Sequence, residues 1–116
     1  MRMLMLLLGT LVLAQEAWPP PGMNCPQRTL VIFEQGPSAS RGGELRKEHL
    51  GYLLQLMKTG KVVSAGPMQD GRSAAILFAT ASWDEVEQIL KDEPYTREGV
   101  LKVSQHSVWV ACEVAK

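Results

Sequence analysis

The chain has 116 residues, 46% hydrophobic and 21% charged, with 12 basic and 12 acidic side chains and no formal net charge. That length supports one domain with a core of its own and not two. Balanced charge with no run of one sign excludes the basic footprint of a nucleic-acid binder and a polybasic membrane patch.

Met1-Arg2 is a short basic start, and Met3 to Leu13 is apolar apart from Gly9 and Thr10. Val12, Leu13 and Ala14 then bring small or β-branched residues to a cleavage point after Ala14. This three-part layout predicts a secretory signal over residues 1–14 and an exported, periplasmic or secreted, mature chain. The apolar stretch is about half the ~20 residues a membrane span needs, so no stable span is expected. Residues 15–28 form a Pro-rich lead-in with no periodicity, read as an extended linker, and the folded domain is expected over residues 29–116. Two cysteines, Cys25 and Cys112, in an oxidising compartment suggest one disulfide.

Thr29 to Phe33 is β-branched and aromatic, hence a strand, and Gln35 to Ser40 is loop chemistry. Gly43 to Thr59 is the first helix: Leu45, His49, Tyr52, Leu53, Leu56 and Met57 recur at three- and four-residue spacing. Leu50 and Leu54 widen that stripe, which predicts a heavily covered helix, and Gly60 suits the left-handed position past its end. Lys61 to Gly66 is a second strand, Asp70-Gly71 a tight turn, and Ser73 to Thr80 a third strand. Ser82-Trp83-Asp84-Glu85 is a capping box opening a short second helix with Val86, Ile89 and Leu90 inside. Pro94 and Gly99 break the chain before a last strand over roughly Leu101 to Val114.

The order strand–helix–strand–strand–helix–strand is that of a ferredoxin-like α+β domain, with both helices on one face of an antiparallel sheet. A sheet covered on one side alternates apolar and polar residues. Ala74 to Ala79 contains no polar residue, and Val31-Ile32-Phe33 and Val62-Val63 are apolar on both faces. The economical cover for the second face is the same face of another subunit, so a homodimer is expected. In the usual strand order of this fold the first and last strands are antiparallel neighbours, which brings Cys25 and Cys112 to one edge as a disulfide.

Chemistry-bearing residues are few. No Gly-rich phosphate loop, Gly-x-Ser-x-Gly elbow or metal-spaced Cys or His pair is present, and neither a cofactor nor a metal is expected. Arg46-x-x-His49 places a cation and an imidazole on neighbouring parts of one helix face. His49 lies within the apolar stripe, as either a proton-transfer group or a core histidine held by a hydrogen bond. Asp92-Glu93-Pro94-Tyr95 follows the second helix. An acid there suits either an imidazole N–H or an ordinary helix exit. His106 is a weaker candidate, because the parity of the last strand leaves its face open.

From Leu30 to about Trp109 the ordered set Gly36-Pro37, Arg46-x-x-His49-Leu50-x-Tyr52-Leu53, Gly60, Ala65-Gly66-Pro67, Glu93-Pro94-Tyr95 and Gly99-Val100 resembles the YCII-related (YciI-like) family. The resemblance implies a dimeric α+β barrel, two ferredoxin-like sheets packed face to face. It also implies a histidine–aspartate site, carried over here as His49 and Glu93. Glu replaces the usual Asp before Pro, with Asp92 as the alternative partner. The leader and both cysteines depart from the family's usual intracellular pattern. Some resembling members act in ring-compound breakdown, including dehydrochlorination. Two classes of function follow. One is a cofactor-independent lyase or isomerase on a small anionic or aromatic compound, with His49 moving the proton and Glu93 orienting it. Arg46 would hold an anionic group, and Tyr52, Gly66, Pro67 and Tyr95 would line the pocket. The other is a non-catalytic small-ligand-binding or structural dimer using the same pocket.

Overall fold

The computed structural model describes residues 18–116; the leader expected over residues 1–14 lies outside them. The chain divides into two compact units, one spanning Gln27–Ala111 and one made of the two chain ends, up to Pro26 and from Cys112 to Lys116.

The larger unit is the ferredoxin-like α+β domain. Its strands are β2 (Gln27–Gln35), β3 (Val62–Pro67), β4 (Ala74–Phe78) and β5 (Leu101–Val110), hydrogen-bonded in the order β3-β4-β2-β5 with every pairing antiparallel. The helices are α1 (Gly42–Lys58), α2 (Trp83–Asp92) and a short α3 (Pro94–Arg97), with a 3₁₀ turn at Ala39–Arg41 ahead of α1.

Register decides which strand residues meet the helices. Val31 pairs with Ile76, Phe33 with Ala74 and Thr29 with Phe78, so these six share one face. Val31, Phe33, Ile76 and Phe78 are buried there with Val62, Leu53 and Leu56 of α1 and Val86 and Leu90 of α2. Each such side chain contributes roughly 1.5–3 kcal/mol of burial energy. The opposite face carries Leu30, Ile32, Ala75 and Leu77, all half-buried, and Trp109, half-exposed.

Two register shifts alter the parity of the sheet. Between β3 and β4, Val62 faces Phe78 but Ser64 faces Leu77, leaving Val63 as an extra residue. Between β2 and β5, Ile32 faces Gln105 but Phe33 faces Val103, leaving Ser104 extra. Such bulges re-aim the side chains beyond them. His106 consequently pairs with Val31 on the helix face, and its ring stacks on Trp83 with centroids 3.5 Å apart.

The smaller unit includes part of the Pro-rich lead-in. Met23–Asn24 (β1) and Glu113–Val114 (β6) pair antiparallel, Ala115 N–H donates to the Gly22 carbonyl at 2.9 Å, and Cys25 and Cys112 are joined by a disulfide. The expected last strand therefore ends at Val110 and a separate β6 follows Ala111-Cys112. A two-residue strand whose partner lies at the far end of the chain leaves no local pattern in sequence.

Candidate active site

Glu93 ends α2 and opens α3. Its backbone is extended, Pro94 takes the first helical position, and the Glu93 side chain caps the turn that follows. Oε1 accepts from Thr96 N–H at 3.1 Å and from the Thr96 hydroxyl at 2.9 Å. Oε2 accepts from Tyr95 N–H at 2.9 Å and lies 2.7 Å from His49 Nδ1. Burial raises the Glu93 carboxyl, but the His49 contact, the Tyr95 N–H, the imidazole charge and Thr96 outweigh it and hold it below the usual glutamate range. An ionised carboxylate has no proton to give, so Nδ1 is the donor of the 2.7 Å bond. In the neutral imidazole that leaves the lone pair on Nε2.

The ring is held on a second side. Tyr95 stacks on His49 with centroids 3.7 Å apart and planes 4° from parallel, and the Tyr95 hydroxyl donates to the Gly42 carbonyl at 2.6 Å. The histidine on α1 is thus fixed by two residues from the start of α3, with its side chain 13% exposed.

His49 lines a cavity of about 680 Å³ bounded by α1, by the β3–β4 hairpin and by residues around Glu93 and Val100. Of the residues expected in the site, His49, Glu93, Arg46, Gly66, Pro67 and Tyr95 all line it. Tyr52 does not: it packs against the core and its hydroxyl donates to the Ile89 carbonyl at 3.1 Å, tying α1 to α2. Burial, with the nearby Asp92 and Glu93 charges, raises the Tyr52 hydroxyl. Asp92 is exposed and is not the acid at His49. His106 also lies outside the cavity.

Leu50 and Leu54 were expected to be covered, yet they are 49% and 51% exposed and line the cavity with Met57. Their spacing on the Arg46–His49 side of α1 was the available signal. Periodicity cannot separate a stripe facing a core from one facing a cavity. Arg72 and Ser73 of the β3–β4 turn also line it, and sequence singled out neither. Among the described residues no group of three or more His, Cys, Asp or Glu side chains is placed to hold a metal ion, and no helix is long and apolar enough to cross a membrane.

Four antiparallel strands in this order, both main helices on one face and a buried acid–imidazole contact beside a cavity define a ferredoxin-like domain of the α+β-barrel class. The sequence model of the YCII-related domain matches residues 28–109, and the chain belongs to that family. No curated protein sequence matches it. Among solved structures it is similar to 5-chloro-2-hydroxyhydroquinone dehydrochlorinase (TftG) from Burkholderia phenoliruptrix AC1100, determined in complex with 2,5-dihydroxybenzoquinone. The likeness has a TM-score of 0.50 at 21% identity and covers 76% of this chain and 93% of that one, which supports the shared fold.

Proposed function

We propose that the protein is a cofactor-independent lyase or isomerase that moves a proton on a small anionic or aromatic compound. The observation that carries this reading is His49, held through Nδ1 by Glu93 at 2.7 Å and lining a cavity of about 680 Å³. Nε2 takes the proton from an acidic O–H or C–H of the bound compound. The electron pair left behind either expels a leaving group as its anion or shifts along the substrate, which regains the proton at another atom. Glu93 stays ionised throughout: it fixes the tautomer and stabilises the imidazolium, and the proton is carried on Nε2 of His49, never on Glu93, until it returns to the substrate or passes to solvent. Arg46 neutralises an anionic group of the substrate. The related dehydrochlorinase, whose name states the loss of hydrogen chloride from a chlorinated hydroxyhydroquinone, makes such phenols the first compounds to try.

The test is turnover of chlorinated hydroquinones and aromatic acids in deuterated buffer, followed by NMR for deuterium uptake and by chloride release. Wild type converts at least one compound, and His49→Gln slows it by roughly 10²–10⁴-fold with the fold unchanged. A compound bound equally by both proteins and converted by neither supports the non-catalytic reading instead.

We further propose that the leader is removed after Ala14 and the chain exported, in keeping with the Cys25–Cys112 disulfide. Mass spectrometry of the exported fraction then finds Gln15 first, and an intact Met1 in a cytosolic pool contradicts it. A homodimer through the sheet face bearing Leu30, Ile32, Ala75 and Leu77 completes the proposal.

A further inference from the structure

The cavity that holds His49 contains two arginines from separate elements, Arg46 on α1 and Arg72 on the β3–β4 turn. Their surroundings differ from those of Arg41, which pairs with Glu44 and Glu98, and Arg97, which pairs with Glu48 and Glu98. Neither Arg46 nor Arg72 makes an ion pair among the described residues. Among the described residues the one acid lining the cavity is Glu93, and both its oxygens are already taken by His49, Tyr95 and Thr96.

The turn that presents Arg72 is tightly built. Asp70 Oδ1 accepts from the Arg72 and Ser73 N–H groups at 2.8 and 2.9 Å, and Oδ2 accepts from the Ser73 hydroxyl at 2.9 Å. Met68 N–H donates to the Ser73 carbonyl at 2.8 Å, and Gly71 takes a positive φ of 74°. Asp70 is thus engaged in shaping the turn, which fixes the backbone of Arg72 at the cavity rim; the charges of Asp70 and Arg72 act on each other, but the two side chains form no close ion pair. Along the α1 wall, Leu50, Leu54 and Met57 supply exposed apolar surface in the same cavity.

We propose that Arg72 is a substrate-binding residue which, with Arg46, holds the carboxylate of a small organic acid whose apolar body lies along Leu50, Leu54 and Met57. The proposal rests on reading this cavity as the substrate site. A guanidinium fork matches the two oxygens of a carboxylate, and two forks from different elements fix its direction as well as its charge. The apolar body gains by leaving water against side chains that are otherwise exposed.

The test is calorimetric titration of the purified protein with 2-naphthoate and with its neutral isostere 2-naphthamide. Wild type prefers the acid by about tenfold or more, the scale of one charge-assisted hydrogen bond. Arg72→Gln loses that preference and leaves amide binding unchanged; Arg72→Lys keeps part of it. Lys102→Gln removes a cation whose residue does not line the cavity, and leaves both affinities as they were. Equal binding of acid and amide, no binding of naphthoate at millimolar concentration, or a Lys102→Gln loss equal to that of Arg72→Gln overturns the proposal. His49→Gln separates the two readings. If it changes no turnover while the Arg72 dependence persists, proton transfer fails and the carboxylate site stands. If it abolishes turnover while Arg72→Gln binds naphthoate normally, only the carboxylate site fails.

Discussion

Glu93 is 1% exposed, and its two oxygens take part in four hydrogen bonds: two cap α3, one comes from the Thr96 hydroxyl and the fourth holds His49. The methylene that distinguishes it from the aspartate expected by resemblance does not break the contact with the imidazole. Glu93→Gln keeps the shape but replaces one acceptor by a donor among N–H and O–H donors, and is expected to lower stability by about 2–3 kcal/mol in chemical denaturation. The carboxyl is depressed in the folded chain, so its contribution is fully present above the ordinary glutamate value of 4.5 and is lost as pH falls through the lower folded value. Denaturation measured from pH 7 downward therefore shows wild type losing stability in that acid range, with a smaller loss in Glu93→Gln. Parallel pH profiles for the two proteins contradict the assignment.

At the scale of elements, most of the fold was legible. The Ser82 cap is present, its side chain accepting from Glu85 N–H at 3.3 Å, and Gly60 takes a positive φ of 78° just past α1. Both signals are local, as are the hydrophobic runs that became β2, β3 and β4. What could not be read depends on partners distant in sequence. The extra residues Val63 and Ser104 leave no mark in composition, yet Ser104 decides that His106 meets Trp83. Arg72 looked like one more polar residue of a turn because its neighbours across the cavity come from α1. The Gly36-Pro37 loop illustrates a signal with two meanings: it breaks the strand, and it also lets β2 end against the α3–β5 loop. Gly36 N–H donates to the Val100 carbonyl at 2.8 Å, and a Cβ on Gly36 would run into the Gly99 carbonyl. Gly36→Ala is expected to cost about 1–3 kcal/mol through forced displacement of this backbone. Tyr52→Phe removes only the bond to Ile89 and is expected to cost about 1 kcal/mol while leaving 2-naphthoate affinity unchanged. Lost affinity there would bring Tyr52 back into the site.

For the whole molecule, the disulfide and the second sheet face carry the remaining expectations. Cys25 and Cys112 are 87 residues apart, so closing that loop restricts the unfolded chain by an amount worth up to about 4–5 kcal/mol. Cys112→Ser is expected to lower the denaturation midpoint accordingly, and an unchanged midpoint would show that the bridge adds no net stability. Ile76 is 5% exposed within the core beneath the helices, so a charge there unfolds the domain rather than probing an interface. Leu77 lies on the other face and is half-buried. Sedimentation of Leu77→Asp at micromolar concentration is expected to show folded monomer where wild type shows dimer, and identical sedimentation contradicts that interface.

The base proposed at His49 depends on the position of one proton. Two-bond ¹H–¹⁵N correlation of the His49 ring in its neutral form reports which nitrogen carries it. Hydrogen is expected on Nδ1, facing Glu93, and the lone pair on Nε2, with the Nε2 resonance shifting when 2-naphthoate is added. Hydrogen on Nε2 with an unprotonated Nδ1 would contradict it, because His49 would then have no base to offer the cavity.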